Sequence, residues 1–81
     1  MHKLRPLTGK DLLQIFAVFG FRQLSQKGSH IKLRRTLASG VNQTLTIVNH
    51  AEVDRGTRHA IHHQALRYIP DPDLRPYFYS D

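Results

Sequence analysis

The chain has 81 residues and no cysteine. It therefore forms no disulfide and offers no thiolate nucleophile, zinc–thiolate site or iron–sulfur cluster. It also has no apolar run close to the ~20 residues that span a membrane, and we expect no membrane partner. No apolar stretch follows the N-terminal Met-His-Lys-Leu-Arg-Pro, which argues against a signal peptide and favours a cytoplasmic location.

Acidic residues are scarce. The sequence has 6 Asp and Glu against 12 Lys and Arg, a formal net charge of +6. Between Asp11 and Glu52 there is no carboxylate, whereas the same stretch holds five basic residues: Arg22, Lys27, Lys32, Arg34 and Arg35. An uncompensated positive surface favours a polyanion, above all a nucleic acid. The shortage of carboxylates argues against a two-metal nuclease, and we expect no metal and no cofactor.

Two segments have the apolar spacing of amphipathic helices. In the first, about 8–19, Thr8 and Asp11 form a capping-box pair ahead of the apolar stripe, and Gly20 follows as a stop signal. The second, about 57–68, is followed by two prolines that end it. We therefore expect one helix near the start of the chain and another in its second half.

Three short segments between these helices alternate between apolar and polar residues and are separated by turn residues: 21–26, 30–35 and 41–48. The order helix, three strands, helix predicts an α+β fold of two layers, with the helices on an antiparallel sheet. We expect a single domain over residues 1–81. Its core is 8–69, and a short C-terminal extension, 70–81, carries an apolar cluster that packs back as a turn or short helix.

His30 is the strongest candidate for a catalytic group. If the apolar residues of its strand face the core, alternation places His30, Lys32 and Arg34 together on the opposite face. An imidazole there is a suitable general base for RNA, taking the proton from a ribose 2′-hydroxyl. The phosphate would be bound by nearby basic side chains and turn amides: Lys27, Gly28, Ser29, Lys32, Arg34 and Arg35. From spacing alone, an exposed strand histidine without a function is the commoner case.

Several of these residues resemble one known family. The run Gln-Lys-Gly-Ser-His at 26–30 follows a capped helix that ends in Phe-Gly-Phe at 19–21, and it is followed by Val-Asn-His at 48–50 and Asp-Arg-Gly-Thr at 54–57. This order is similar to that of the HicA-type toxins of bacterial type II toxin–antitoxin systems, over about residues 8–69.

The resemblance implies a fold, an activity and a partner. The fold is double-stranded-RNA-binding-domain-like, and the activity is metal-independent cleavage of mRNA with His30 as the catalytic histidine. The partner is a HicB-type antitoxin that covers the active site. The chain departs from the family pattern after Gly-Ser-His, where Ile31 to Leu33 replace a common second aromatic or histidine. It departs again at Arg58 and His62, where apolar residues are usual.

The remaining histidines are weaker candidates. His59 and His63 are spaced i, i+4 on the second predicted helix, with His62 beside them. That spacing binds zinc when a third ligand is present, but no cysteine or acidic residue occurs between 55 and 70, and we interpret these residues as solvent-exposed helix histidines. His50, at the end of the third strand, is a possible second catalytic group that protonates the 5′-oxygen leaving group. A turn-stabilising role is the alternative for His50.

Three functions remain open at this stage. The first is a metal-independent endoribonuclease that acts as an mRNA-cleaving toxin. The second is an RNA-binding module that holds RNA without cutting it, with a steep dependence on salt. The third is an inactivated relative whose basic face docks an acidic, antitoxin-like protein. Charge and spacing favour binding over catalysis, whereas the resemblance favours the toxin.

Overall fold

The computed structural model describes residues 3–80. Along the chain the elements are β1 (Lys3–Leu4), α1 (Gly9–Val18), β2 (Arg22–Lys27), β3 (His30–Thr36), β4 (Asn42–Val48), α2 (Arg55–Ala65), α3 (Asp71–Phe78) and β5 (Tyr79–Ser80). The α+β class and the order helix, three strands, helix are confirmed. Among residues 3–80, no helix is both long and apolar enough to cross a membrane.

Helix α1 begins at the predicted capping box. The Asp11 amide donates to Thr8 Oγ1 at 3.0 Å, and the Thr8 amide donates back to Asp11 Oδ2 at 2.9 Å. The hydrogen bonds from Thr8 lower the pKa of Asp11, because they stabilise its ionised form. The helix ends before Gly20, whose φ of +88° is a conformation that suits glycine.

The sheet is antiparallel in the order β2-β3-β4. Ile31 pairs with Ile47 and Leu33 with Leu45, and all four side chains are buried. The opposite face of β3 is exposed and polar, as alternation requires. The β2–β3 register shifts between Gln23 and Ser25, and this bulge disturbs the free edge of β2.

One hydrophobic cluster joins the two layers. The residues that the helices contribute recur every three or four positions, as an amphipathic stripe requires: Leu12, Ile15 and Phe16 from α1, and Ile61 and Ala65 from α2. They pack against the apolar side chains of the sheet. Both helices therefore cover one face of the sheet and leave the other face to solvent.

The C-terminal extension packs back onto this cluster, as expected, and most of it forms the helix α3. Leu74 and Phe78 are fully buried within the core. No pattern in the sequence predicts that β5 then pairs with β1, with Leu4 opposite Tyr79. Two residues per strand are too few for a periodic pattern, so this pairing is decided by the packing of α3. Asp81, the end of the predicted extension, lies outside the described residues.

His62 corrects one sequence interpretation. His59 and His63 are exposed on α2, as expected, but His62 is buried between α2 and the C-terminal segment. Its ring lies 5.2 Å from that of Phe78 and 5.3 Å from that of Tyr79, between centroids. The extension covers this flank of the helix, which the period of α2 alone does not reveal. Burial lowers the pKa of His62, although the Asp71 carboxylate, 3.5 Å from Nε2, opposes the change.

We expect the free energy of unfolding to fall as the pH drops below about 6.5, the ordinary pKa of histidine. The unfolded chain binds a proton at that pH, whereas buried His62 resists it, so stability is lost as the pH falls towards the folded-state pKa. Urea titrations of wild type, His62→Leu and His63→Leu between pH 7.5 and 5.5 measure this. His62→Leu should show a weaker pH dependence, and His63→Leu should follow wild type. Equal slopes in all three would contradict the assignment.

Candidate nucleic-acid interface

The open face of the sheet carries the predicted histidine and its basic neighbours. His30, Lys32 and Arg34 are all exposed on this face of β3. On β2, Lys27 lies directly opposite His30 and Arg22 lies opposite Arg34. Residues that are paired in this way project from the same face of an antiparallel sheet. The structure thus places four cations and one imidazole on a single surface, which we call the basic face: Arg22, Lys27, His30, Lys32 and Arg34.

A tight turn holds His30 at the end of this face. Gly28 and Ser29 form a two-residue hairpin loop between Lys27 and His30, and Gly28 has φ of +59°. A positive φ at the first loop position alone is typical of a type II′ turn, which favours glycine there. The Gln26 side-chain amide donates to the Gly28 carbonyl at 2.9 Å. The Ser29 carbonyl accepts from the Asn49 amide at 2.7 Å, so the turn is tied to the end of β4.

His50 lies at the same end of the sheet. Val48 is the cross-strand partner of His30, and His50 follows two residues later with an exposed side chain. Its carbonyl accepts a hydrogen bond of 2.8 Å from the Gly9 amide. The backbone at His50 is therefore fixed by α1, while its imidazole stays accessible to solvent.

Gly9 makes this contact possible, and sequence reasoning missed it. A Cβ on Gly9 would lie 2.5 Å from the Asn49 Cα and 2.8 Å from the Val48 carbonyl oxygen. Only a glycine lets the first turn of α1 approach the chain so closely. The one signal in the sequence was a glycine at the first position of a helix, where many residues are tolerated.

Arg35 does not join the basic face. Its side chain lies on the same face as Ile31 and Leu33 and is partly buried. The guanidinium donates to the Phe19 and Tyr68 carbonyls at 2.9 Å each and to Gln43 Oε1 at 2.7 Å. It also lies over the Phe21 ring at 4.7 Å. These contacts use the donors that a phosphate would need, so we leave Arg35 out of the proposed phosphate-binding set.

No carboxylate of the described residues pairs with the basic face. Among residues 3–80, none of the four cations of the basic face forms an ion pair. Asp11 and Asp54 are used at the starts of α1 and α2, where they cap the helices. The Thr57 amide donates to Asp54 at 2.8 Å, and this bond lowers the pKa of Asp54 and keeps it ionised. Within the described chain, no three His, Asp or Glu side chains are grouped as metal ligands would be.

A groove lies between the basic face and α2, and His30 forms part of its wall. It has a volume of about 290 Å³ and is lined by residues that include His30, Thr46 and Val48 from the sheet and Thr57, Ala60 and Gln64 from α2. Gln64 fixes its width. Gln64 Oε1 accepts from the Thr46 amide at 3.0 Å, and Gln64 Nε2 donates to the Thr46 carbonyl at 3.1 Å. Nothing in the sequence marked Gln64, because its partner is a backbone unit 18 positions away.

One of three comparisons with known proteins, the comparison with family models, assigns the chain to a family. Neither the comparison with curated proteins nor the comparison with solved structures gave a match. The family model described as the HicA toxin of bacterial toxin–antitoxin systems matches residues 9–66. This match runs from the start of α1 to the end of α2 and includes every residue of the basic face and the groove. The chain is a member of the HicA toxin family.

Proposed function

We propose that this protein is a metal-independent endoribonuclease that cuts mRNA as the toxin of a toxin–antitoxin pair. The observation that carries the proposal is the position of His30, an exposed imidazole with Lys27 opposite and Lys32 two residues along on a face without carboxylates. A base flanked by phosphate-binding cations is the arrangement that RNA cleavage through the 2′-hydroxyl requires.

In the proposed reaction, unprotonated His30 takes the proton of a ribose 2′-hydroxyl. The 2′-oxygen forms a bond to the adjacent phosphorus as the bond from phosphorus to the 5′-oxygen breaks. His50 is a second candidate group, which gives a proton to that leaving oxygen. The products are a 2′,3′-cyclic phosphate and a 5′-hydroxyl, and DNA is inert because it lacks the attacking group.

Phosphate binding falls to the basic face and to the turn before His30. Lys27, Lys32 and Arg34 project towards solvent on that face and suit the non-bridging phosphate oxygens of a bound strand. The backbone amides of Gly28 and Ser29 are further proposed donors to the charge that develops on these oxygens. Contacts of this kind are independent of sequence and weaken steeply with salt.

The proposed partner is a HicB-type antitoxin, and the proposed location is the cytoplasm, where mRNA is found. An antitoxin that covers the basic face would block both His30 and the phosphate-binding cations. Its contacting surface would be acidic, since this face carries four exposed cations that pair with no carboxylate among residues 3–80.

RNA cleavage by purified protein in excess EDTA tests the proposed activity. We expect wild type to cut single-stranded RNA, and His30→Ala to be slower by about 100- to 10,000-fold, the usual contribution of a general base. His63→Ala, an exposed histidine on α2, is the matched control and should cut like wild type. A 2′,3′-cyclic phosphate on the product identifies the route.

Two other results would replace the proposal with an alternative. RNA binding by both wild type and His30→Ala without cutting would indicate an RNA-binding module. Weak RNA binding beside a tight complex with an acidic protein would indicate an inactive relative that serves as a docking protein. Cleavage that EDTA abolishes would contradict the metal-independent mechanism.

A further inference from the structure

His30 lies at the boundary between two chemically different surfaces. On one side, the basic face presents Lys27 and Lys32, within one or two residues of the imidazole along and across the strands. On the other side is the groove against α2. Apart from His30, no groove-lining residue in the described chain has an ionisable side chain.

The groove is also unsuited to phosphate where it meets the N-terminus of α2. The N-terminus of a helix ordinarily attracts anions through its free amides. Here the Asp54 carboxylate already accepts from the Thr57 amide at 2.8 Å and from the Thr57 hydroxyl at 3.1 Å. Because Asp54 occupies these donors, the start of α2 is a poor anion site, and the groove favours an uncharged group.

Hydrogen bonds within the chain fix the shape of the groove. The double hydrogen bond between Gln64 and Thr46 sets the distance from α2 to β4, and the Asp54 cap fixes the start of α2. Its volume of about 290 Å³ lies at the lower limit of small-molecule pockets, roughly 300–1,000 Å³. Walls of Val48 and Ala60 with polar groups from Thr46 and Gln64 suit one nucleoside.

Gln64 keeps part of its hydrogen-bonding capacity. A primary amide has two donor hydrogens and two acceptor lone pairs, and Thr46 uses one of each. Since no other group of residues 3–80 bonds this amide, one donor and one acceptor remain on a side chain that lines the groove. These are the groups that distinguish one base edge from another.

We infer that the groove binds the nucleoside whose 2′-oxygen attacks, the one on the 5′ side of the cut, while the scissile phosphate lies on the Lys27–Lys32 side of His30. This inference rests on the proposed ribonuclease activity and adds a direction to it. The base before the cut lies beside α2, and the RNA backbone after the cut crosses the basic face. Sequence preference then belongs to the nucleotide before the cut.

Filling the groove tests the inference by kinetics. Ala60 is exposed and lines the groove, whereas neighbouring His59 is exposed and does not. We expect Ala60→Phe to lower kcat/KM by at least about tenfold, because a displaced nucleoside no longer meets His30. His59→Phe, which adds the same ring to the same helix, should stay within about twofold of wild type. Both variants should keep the thermal midpoint and the salt dependence of binding to uncleavable RNA.

Chimeric substrates test the direction. A DNA oligonucleotide with one ribonucleotide is cut only after that ribose, and its base and the following base are varied separately. We expect kcat/KM to depend on the base of the ribonucleotide and hardly on the next one. A preference confined to the following base would overturn the inference, as would equal behaviour of Ala60→Phe and His59→Phe.

A binding measurement separates failure of this inference from failure of the proposed activity. In wild type, uridine or adenosine 3′-phosphate should shift the amide resonances of Thr46, Val48 and Ala60, whereas inorganic phosphate should shift only those near Lys27 and Lys32. Groove shifts without any RNA cleavage would support the nucleoside site and overturn the ribonuclease. RNA cleavage without groove shifts would support the ribonuclease and overturn the nucleoside site.

Discussion

Gly9→Ala is expected to destabilise the protein by about 2–4 kcal/mol, the cost of forcing a group into a filled space. The added Cβ would lie 2.5 Å from the Asn49 Cα, whereas carbon atoms prefer about 3.5–4.0 Å. The Asn49 side chain can move aside, but the Asn49 Cα and the Val48 carbonyl oxygen, at 2.8 Å, are backbone atoms and would still block the added group. Alanine is ordinarily the better helix residue, so helix propensity alone would predict a gain in stability, whereas we expect a loss.

Gly56→Ala is the matched control for this effect. Gly56 also lies in the first turn of a helix, but a Cβ there meets only Asp54 Oδ1, at the ordinary distance of 3.5 Å. We expect it to be neutral or to stabilise by about 0.4–1 kcal/mol, since alanine restricts the unfolded chain. Urea denaturation of the three proteins measures the difference.

The displacement in Gly9→Ala should also reach the candidate site. Asn49 donates its amide to the Ser29 carbonyl, next to His30, so the amide resonances of Ser29 and His30 should shift. Equal stability of Gly9→Ala and Gly56→Ala would show that α1 does not approach β4 as closely as the structure has it.

Arg35→Ala is expected to cost a similar amount, about 2–4 kcal/mol, because it breaks a partly buried, charge-assisted network. The guanidinium joins the carbonyl at the end of α1, from Phe19, to the Tyr68 carbonyl beyond α2 and to Gln43 on β4. Removing it leaves these acceptors without their donor and uncovers the Phe21 ring. Positive charge at the ends of two helices is lost at the same time.

Two variants sharpen this prediction. Arg35→Lys keeps the charge but lacks the planar fork that reaches three acceptors, so it should recover little of the loss. Arg34→Ala changes the neighbouring residue, which is exposed on the basic face, and should stay within about 0.5 kcal/mol of wild type in urea. If Arg35→Ala is as stable as Arg34→Ala, the network does not hold the layers together.

We expect the two variants to have the opposite order in RNA binding, the proposed function of the basic face. Arg34→Ala should weaken RNA binding and reduce its salt dependence, because the proposed phosphate contact of Arg34 is removed. The Arg35 guanidinium is already bound by Phe19, Tyr68 and Gln43, so in the folded protein its loss should leave the salt dependence unchanged. The two adjacent arginines should therefore differ in effect, because their side chains project from opposite faces of β3.

Most of the fold follows from local patterns in the sequence. The Thr8–Asp11 capping box, the apolar stripes of α1 and α2, and the alternation of β3 are each contained within a few residues. Their physical basis is local too, since helix caps and the period of two act between neighbours. For the same reason the grouping of His30, Lys32 and Arg34 on one face could be predicted, and the structure has it so.

The features that the sequence did not predict all depend on partners far along the chain. Periodicity determines which way a side chain points from its own element, but not which atoms it meets. His62 was expected to be exposed and is buried because the C-terminal extension covers it. The pairing of β1 with β5 joins the two ends of the described chain.

By itself, then, the sequence determined the α+β order of elements, the resemblance to HicA-type toxins and the cationic, carboxylate-free strand that carries His30. The tertiary structure decided that Arg35 faces the core, that Gly9 admits the close approach of α1, and that Gln64 holds α2 beside His30 to form a groove. Each of these depends on the distance between two elements, which is fixed only when the whole core packs. Local patterns carry no information about that distance.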